Sequence, residues 1–196
     1  DELGQVSPTR ITADGAHTLY YQGLSAAAAN PVLGRATSTD GETWTREEAS
    51  LYGSPDSDKV SHPTAHLDEA GIVSLWHLNS AGQIALSVSA DGTSFTPACV
   101  PSGRSGKSPE VVWHEDRYLL FWASQQAGED VIFQAESYDG LRWSAHEEPI
   151  LRASDTDWTA DGLSNAQLVW IDDAPRLLLV GVEDGTHRFG LARPVE

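Results

Sequence analysis

Three carboxyl groups in this sequence stand where acid–base chemistry is plausible. Glu110 follows Pro109 at the start of a short apolar run, and Asp157 and Asp161 lie in the polar segment 154–162. Hydrolysis of a glycosidic bond uses two carboxyl groups, which lie closer together for retention of configuration and farther apart for inversion. We therefore predict that Glu110 is a general acid whose pKa is raised by desolvation, with Asp157 or Asp161 as its catalytic partner.

Each of these predictions has a structural alternative. The Glu110 carboxylate could instead pair with a nearby cation, Lys107 or Arg104. Segment 154–162 could be a solvated acidic loop whose aromatic residue, Trp158, packs between structural elements.

Four further residues have side chains suited to binding a polar ligand. Trp158 lies between the two aspartates, and an indole face beside hydroxyl acceptors is typical of a sugar site. Arg10 lies near the start of the first apolar run and could bind an anionic or hydroxyl-rich ligand. His62 and Asn165 occupy matching places in two of the repeats described below. We predict all four as substrate-binding residues.

The sequence predicts neither a metal ligand set nor a cofactor. His62 and His66 are four residues apart in a predicted strand, so about 13 Å separates them at ~3.3 Å per residue, and they cannot share one ion. The signatures of nucleotide-binding loops, nucleophile elbows and zinc proteases do not occur. The alternative is an ion held near a central axis by His62 and residues from other repeats.

The charge balance restricts the class of partner. The 196 residues contain 12 Lys plus Arg against 29 Asp plus Glu, a net charge of −17. Nucleic acid and anionic membranes both require a basic face, so we expect neither as a partner. No apolar run approaches the roughly 20 residues of a membrane helix. A carbohydrate or another small polar ligand is the expected partner.

Two rare residue types bear on processing and redox chemistry. The sequence contains no Met, so Asp1 is not a translation start, and loss of a signal peptide is one ordinary explanation. We therefore expect a secreted or extracytoplasmic location. Cys99 is the one cysteine, which excludes an internal disulfide, and we expect it to be a buried, inert thiol.

Three turns that share the pattern Ser-x-Asp-Gly-x-x-aromatic recur about every 50 residues, and they indicate the elements that position these side chains. They span residues 38–44, 89–95 and 137–143. Asp accepts hydrogen bonds from the turn backbone, Gly supplies a positive φ, and the aromatic ring packs back over the turn. One such turn would mean little, but three in register predict a repeat.

A second anchor precedes each turn. It reads Ser7-Pro8, His62-Pro63 and Ser108-Pro109, and Ser164-Asn165 takes the same place without Pro in a fourth repeat. After each anchor come an apolar run, a turn and a second apolar run. One of these second runs, 118–123, is apolar on both faces and must be covered on both faces.

The repeats define four units, at about residues 6–50, 60–101, 107–151 and 163–196. Each of the first three contains four predicted strands, while the fourth stops after three, and residues 1–5 could supply its outer strand. Units of four strands at this period predict an all-β fold, a single β-propeller domain over residues 1–196 with four-stranded antiparallel blades. A five-bladed propeller is the alternative, and a β-sandwich is less favoured because its strands do not repeat a motif at this period.

The third unit resembles a known family. Ser108-Pro109-Glu110-Val111-Val112, followed by Asp116-Arg117-Tyr118-Leu119-Leu120-Phe121-Trp122, is similar to a hairpin of arabinanase and β-xylosidase-type glycosidases. The Ser-x-Asp-Gly-x-x-Trp turn resembles theirs and that of invertases. The resemblance implies a propeller with an active site in its central funnel, where three carboxylates act near the starts of the innermost strands.

The resemblance also sets the functional alternatives. It implies a carboxylate directly before the anchor Pro, whereas this sequence has Ser7, His62, Ser108 and Asn165 at those places. We therefore expect a glycosidase-like protein that binds, and in the leading interpretation hydrolyses, a glycan in the funnel. A non-catalytic lectin or protein-interaction propeller is the first alternative, and a metal-centred or tailoring enzyme on the same scaffold is the second.

Overall fold

A computed structural model describes residues 4–24, 31–46, 60–99 and 105–193 of the chain. The described residues are almost entirely β-structure, with two single turns of 3₁₀ helix. The ends of three predicted units, at residues 47–50, 101 and 194–196, lie outside the described residues, as do residues 1–3 and the alternative ion-pair partner Arg104.

Four antiparallel sheets follow one another along the chain, and they are the four predicted blades of a β-propeller fold. Blades 1 and 2 belong to a compact unit of residues Asp1–Arg104, and blades 3 and 4 to a second unit, Ser105–Glu196. Blade 1 contains β1 (Gly4–Ala13), β2 (Ala16–Leu24), β3 (Val32–Ser38) and β4 (Thr45–Arg46). Blade 2 contains β5 (Ser61–Leu67), β6 (Val73–Leu78), β7 (Ile84–Ser89) and β8 (Thr96–Cys99).

The second unit repeats this order with two variations. Blade 3 contains β9 (Lys107–His114), β10 (Arg117–Gln126), β11 (Glu129–Ser137), β12 (Ser144–Ala145) and a short extra strand, β13 (Leu151–Arg152), that also pairs with β11. Blade 4 contains β14 (Gly162–Ile171), β15 (Ala174–Glu183) and β16 (Thr186–Ala192). The expected three strands of the fourth unit are confirmed within the described residues.

The three Asp-Gly turns are confirmed as one repeated structure. In each, the Asp Oδ1 atom accepts backbone N–H groups two and three residues ahead, at 2.7–2.9 Å. The preceding Ser hydroxyl donates to the same atom at 2.9–3.1 Å. The glycines have φ of 68–75°. Because the side chain supplies hydrogen bonds inside the turn, the turn backbone is held in place between the paired strands that it connects.

The anchors are also one repeated structure, a β-bulge in the first strand of each blade. Ser7, His62, Ser108 and Asn165 have φ of 48–51°, a left-handed conformation that non-glycine residues seldom adopt. In each blade the pairing with the next strand shifts register at this residue. A bulge re-aims the side chains around it, which makes this the place where each blade can present a functional group.

Each unit has a core between its two blades. In the first unit Tyr20 and Leu33 of blade 1 pack with Val73 and Leu75 of blade 2, and all four are buried. Phe95, the aromatic of the second Asp-Gly turn, lies edge-on to the Tyr20 ring with centroids 5.5 Å apart. The turn aromatic therefore contributes to packing between blades as well as to its own hairpin.

In the second unit the core lies between blades 3 and 4. Alternate residues of β10, including Leu119 and Phe121, pack with Leu163, Leu177 and other apolar residues of blade 4. The intervening β10 residues are also buried. The prediction that this strand is covered on both faces is confirmed.

Two expectations are corrected. Gly4 and Gln5 extend β1 and pair with Leu24 and Gly23, so they do not form an outer strand for blade 4. Cys99 is exposed, because it lies on β8, the outermost strand of blade 2, whose four residues all face solvent. In the described segments, no helix has the length and apolarity to cross a membrane.

Candidate functional site

Glu110 lies on β9, two residues beyond the left-handed Ser108. Its cross-strand partner is Phe121, and Val112 faces Leu119 two positions further along. Directly opposed residues project from the same face of a sheet, so Glu110 shares its face with the apolar residues that pack against blade 4. The bulge at Ser108 thus places a carboxyl group beside the core of the second unit.

The environment of Glu110 favours its protonated form. The side chain is partly buried, and desolvation raises its pKa from 4.5 to about 7. Within residues 4–24, 31–46, 60–99 and 105–193, no side chain or backbone group donates a hydrogen bond to this carboxyl group or forms an ion pair with it. The alternative ion pair with Lys107 is absent. A carboxyl group with a pKa near 7 can deliver a proton at neutral pH.

The other residues at the bulges are polar but not acidic. In the first unit His62 is partly buried, and its backbone N–H donates to Gln22 Oε1 at 3.2 Å. Gln22 is itself buried and belongs to the adjacent blade. In the second unit Asn165 is exposed on β14. Arg10 is exposed on β1 opposite Leu19. The ligand-binding roles of His62, Asn165 and Arg10 remain predictions.

Polar contacts between blades 1 and 2 were missed by sequence reasoning. Besides the Gln22 contact, Thr9 Oγ1 accepts the backbone N–H of Ala65 at 3.1 Å. Both side chains satisfy backbone groups close to a bulge, where the regular ladder is interrupted. The available signal was Gln22 itself, a polar residue inside the apolar run of β2.

The segment between blades 3 and 4 is held mainly by structural contacts. Thr159 is fully buried, and its hydroxyl donates to the Ala153 carbonyl at 2.6 Å. The Trp158 ring lies directly on Gly181 and Gly190, where an added Cβ would come within 2.3–2.5 Å of ring atoms. Trp158 therefore packs against blade 4, as the structural alternative proposed, and its binding role remains a prediction.

The two aspartates of this segment differ. Asp161 Oδ2 accepts the backbone N–H of Asp184 at 2.7 Å and so supports the β15–β16 turn. When the bulge residues Ser108 and Asn165 are aligned, Gln167 of blade 4 corresponds to Glu110 of blade 3. Asp161 precedes Gln167 by six residues, which is up to about 20 Å of extended chain. Asp157 is exposed, and its carboxylate forms no hydrogen bond or ion pair with another described residue. Asp157 is thus the more available partner carboxylate, and both catalytic roles remain predictions.

No cluster of three or more His, Cys, Asp or Glu side chains suited to a metal ion occurs within the described part of the chain. The metal-centred alternative, which depends on His62, remains a prediction.

Several solved structures with the same fold are glycoside hydrolases. A GH32 β-fructofuranosidase from Bombyx mori superposes with a TM-score of 0.74 at 15% identity, over 96% of this chain and 46% of that one. An exo-1,5-α-L-arabinanase from a bovine ruminal metagenomic library also gives 0.74 at 15% identity, over 95% and 73%. A family 117 glycoside hydrolase from Zobellia galactanivorans gives 0.70 at 14% identity, over 95% and 65%.

These likenesses establish the class of fold. The chain has the β-propeller fold of these glycosidases, and the resemblance read from the third unit is confirmed at that level. The chain spans less than half the length of the fructofuranosidase and about two thirds of the family 117 enzyme. No family model and no curated protein matches the sequence.

Proposed function

We propose that the protein binds a glycan and hydrolyses a glycosidic bond, with Glu110 as the general acid. The carrying observation is the Glu110 carboxyl group, which has no donor among the described residues and a pKa raised to about 7 by desolvation. An acid of this pKa is about half protonated at neutral pH, so a substantial fraction of the molecules can donate a proton to a leaving group. The fold shared with glycoside hydrolases supports the choice of reaction.

The chemical step requires a proton and a carboxylate. Glu110 donates its proton to the glycosidic oxygen while the bond from that oxygen to the anomeric carbon breaks. A carboxylate either activates a water molecule that attacks the anomeric carbon, or attacks that carbon itself to form a glycosyl ester. In the second case the deprotonated Glu110 activates a water molecule that hydrolyses the ester, which frees the carboxylate and returns the proton to Glu110. Asp157 is our candidate for this role because its side chain is exposed and uncommitted, whereas Asp161 supports a turn.

The test is hydrolysis by the Glu110→Gln variant. The substrates are 1,5-α-L-arabino-oligosaccharides and β-fructofuranosides, which the names of two structural neighbours suggest. We expect kcat to fall about 10²- to 10⁴-fold, the usual contribution of general acid catalysis. Glu136→Gln is the matched control, because Glu136 lies on β11 of the same blade and forms only a partly exposed ion pair with Arg117. Turnover by Glu110→Gln equal to that of the control would refute the assignment.

A second candidate is a non-catalytic glycan-binding propeller. It is favoured by one observation, the absence of a carboxylate at all four bulge positions. In that case the wild type would bind glycans on an array and release no product. Glu110→Gln would then change affinity rather than turnover.

A further inference from the structure

A cleft of about 430 Å³ lies within the second unit, between blades 3 and 4. Its walls include Leu119 and Phe121 of β10, Leu168 of β14 and Leu177 of β15. Leu119, Phe121 and Leu177 also belong to the buried core of the unit, whereas His146, Ile150 and Arg193 are exposed, so the cleft runs from the surface to the core. Its volume lies in the range of small-molecule sites, about 300–1,000 Å³.

Among the described residues, the ionisable side chains around this cleft are all basic. They are His114, His146, Arg176 and Arg193, and no described Asp or Glu lines it. This is unexpected in a chain with 29 acidic and 12 basic residues, excluding histidine. The local charge is therefore opposite in sign to that of the molecule.

Neither arginine is neutralised by a carboxylate within the described residues. Arg176 donates to the carbonyl of Pro175 at 2.7 Å, which leaves other guanidinium N–H groups available. Arg193 forms no ion pair with a described residue. His114 has two neighbours. Its Nε2 lies 3.6 Å from Glu115 Oε1, and its ring lies tilted by 59° against the Trp170 ring with centroids 5.3 Å apart.

We infer that this cleft binds a small amphipathic anion, a ligand with an apolar alkyl or aryl body and one carboxylate group. The body occupies the leucine- and phenylalanine-lined interior, where burial of its apolar surface supplies most of the affinity. The carboxylate meets Arg176 and Arg193, whose planar guanidinium groups match its geometry. Glu110 does not line the cleft, so the inference does not depend on the proposed glycosidase activity.

The experiment is calorimetric titration of the folded chain with octanoate and with octanol. These probes share an apolar body and differ in charge. We expect saturable binding of octanoate at one site per chain and at least tenfold weaker binding of octanol. Equal affinity for the two probes, or no binding of octanoate, would overturn the inference.

Variants locate the site. Arg176→Gln and Arg193→Gln should each weaken octanoate binding about tenfold, the size expected for loss of a charge-assisted contact. Arg142→Gln is the control, because that arginine is 93% exposed and pairs with Asp139 away from the cleft. Leu168→Trp should fill the cavity and abolish binding, with circular dichroism to verify folding. Octanoate affinity within twofold of wild type in both arginine variants would contradict a site in this cleft.

Discussion

Glu110 and the aspartates of the three Asp-Gly turns are carboxyl groups in opposite environments. Asp40, Asp91 and Asp139 are solvent-exposed. Each accepts hydrogen bonds from backbone N–H groups, and these hydrogen bonds hold its pKa below the ordinary range. Glu110 accepts no such hydrogen bond from a described residue, and desolvation raises its pKa to about 7. The turn aspartates stabilise the backbone of their turns, while the described surroundings of Glu110 leave its carboxyl group able to exchange a proton. Here the candidate for chemistry is recognised by its lack of partners.

The largest expected effect on stability is that of Glu110→Gln. Below pH 4.5 the carboxyl group is protonated in both the folded and unfolded chain. Between pH 4.5 and about 7 the unfolded chain releases a proton that the folded chain retains, so the free energy of unfolding falls as pH rises. Glutamine does not titrate, so the variant does not lose this free energy of unfolding. We expect the difference in unfolding free energy between the variant and wild type to increase by about 2–3 kcal/mol, in favour of the variant, from pH 4 to pH 8.

Urea denaturation at the two pH values measures this difference. Glu136→Gln, the same substitution on a neighbouring strand, serves again as the control. If the stability of Glu110→Gln tracks that of wild type at both pH values, Glu110 titrates normally and the contrast with the turn aspartates disappears.

An intermediate effect is expected at the first turn. Asp40→Ala removes the acceptor of two backbone N–H groups and the Ser38 hydroxyl, and should lower Tm by a few degrees at pH 7. Because the pKa of Asp40 is lowered in the folded chain, its stabilising contribution is present above about pH 4 and lost as pH falls below that value. The difference from wild type should therefore shrink at pH 3, as thermal melts would show.

Glu42→Ala is the matched control for this turn. It removes the same charge two residues after Asp40. The Glu42 side chain is exposed and forms no hydrogen bond or ion pair with another described residue. A decrease in Tm equal to that of Asp40→Ala would mean that net charge, and not the turn geometry, accounts for the effect.

The smallest effect distinguishes the two aspartates beside Trp158. Asp161→Ala should cost about 1 kcal/mol of stability, because the Asp184 N–H loses its acceptor, and Asp157→Ala should cost almost nothing. Urea denaturation of both variants, together with their turnover, would sharpen the assignment. Loss of turnover in Asp157→Ala at unchanged stability would identify it as the partner of Glu110, whereas wild-type turnover in that variant would exclude it.

The sequence predicted the blades well because their determinants are local. A Ser-x-Asp-Gly turn carries its own hydrogen bonds, so its structure can be read from seven residues. The doubly apolar run of β10 likewise indicated burial on both faces. The exposure of Cys99 could not be read in this way, because it depends on the outermost position of β8 in its sheet.

The candidate site was only partly predictable for a similar reason. Glu110 was identified by its place after an anchor Pro, which is a local signal. The contacts of Trp158 with Gly181 and Gly190 join residues more than 20 positions apart in sequence, and no local pattern around Trp158 predicts them. The hydrogen bond between Asp161 and Asp184 spans a similar separation. A side chain whose contacts lie far away in sequence can therefore be mistaken for one that is free to bind a ligand.

The left-handed bulge residue near the start of every blade occupies an equivalent position in all four blades, so the same substitution can be made at each of them. Asp and Asn accept this backbone conformation more readily than Ser, so Ser108→Asp would relieve strain while adding a negative charge two residues before Glu110. A single residue exchange would therefore place a second carboxylate near Glu110 while the repeated bulge, and with it the blade, stays unchanged.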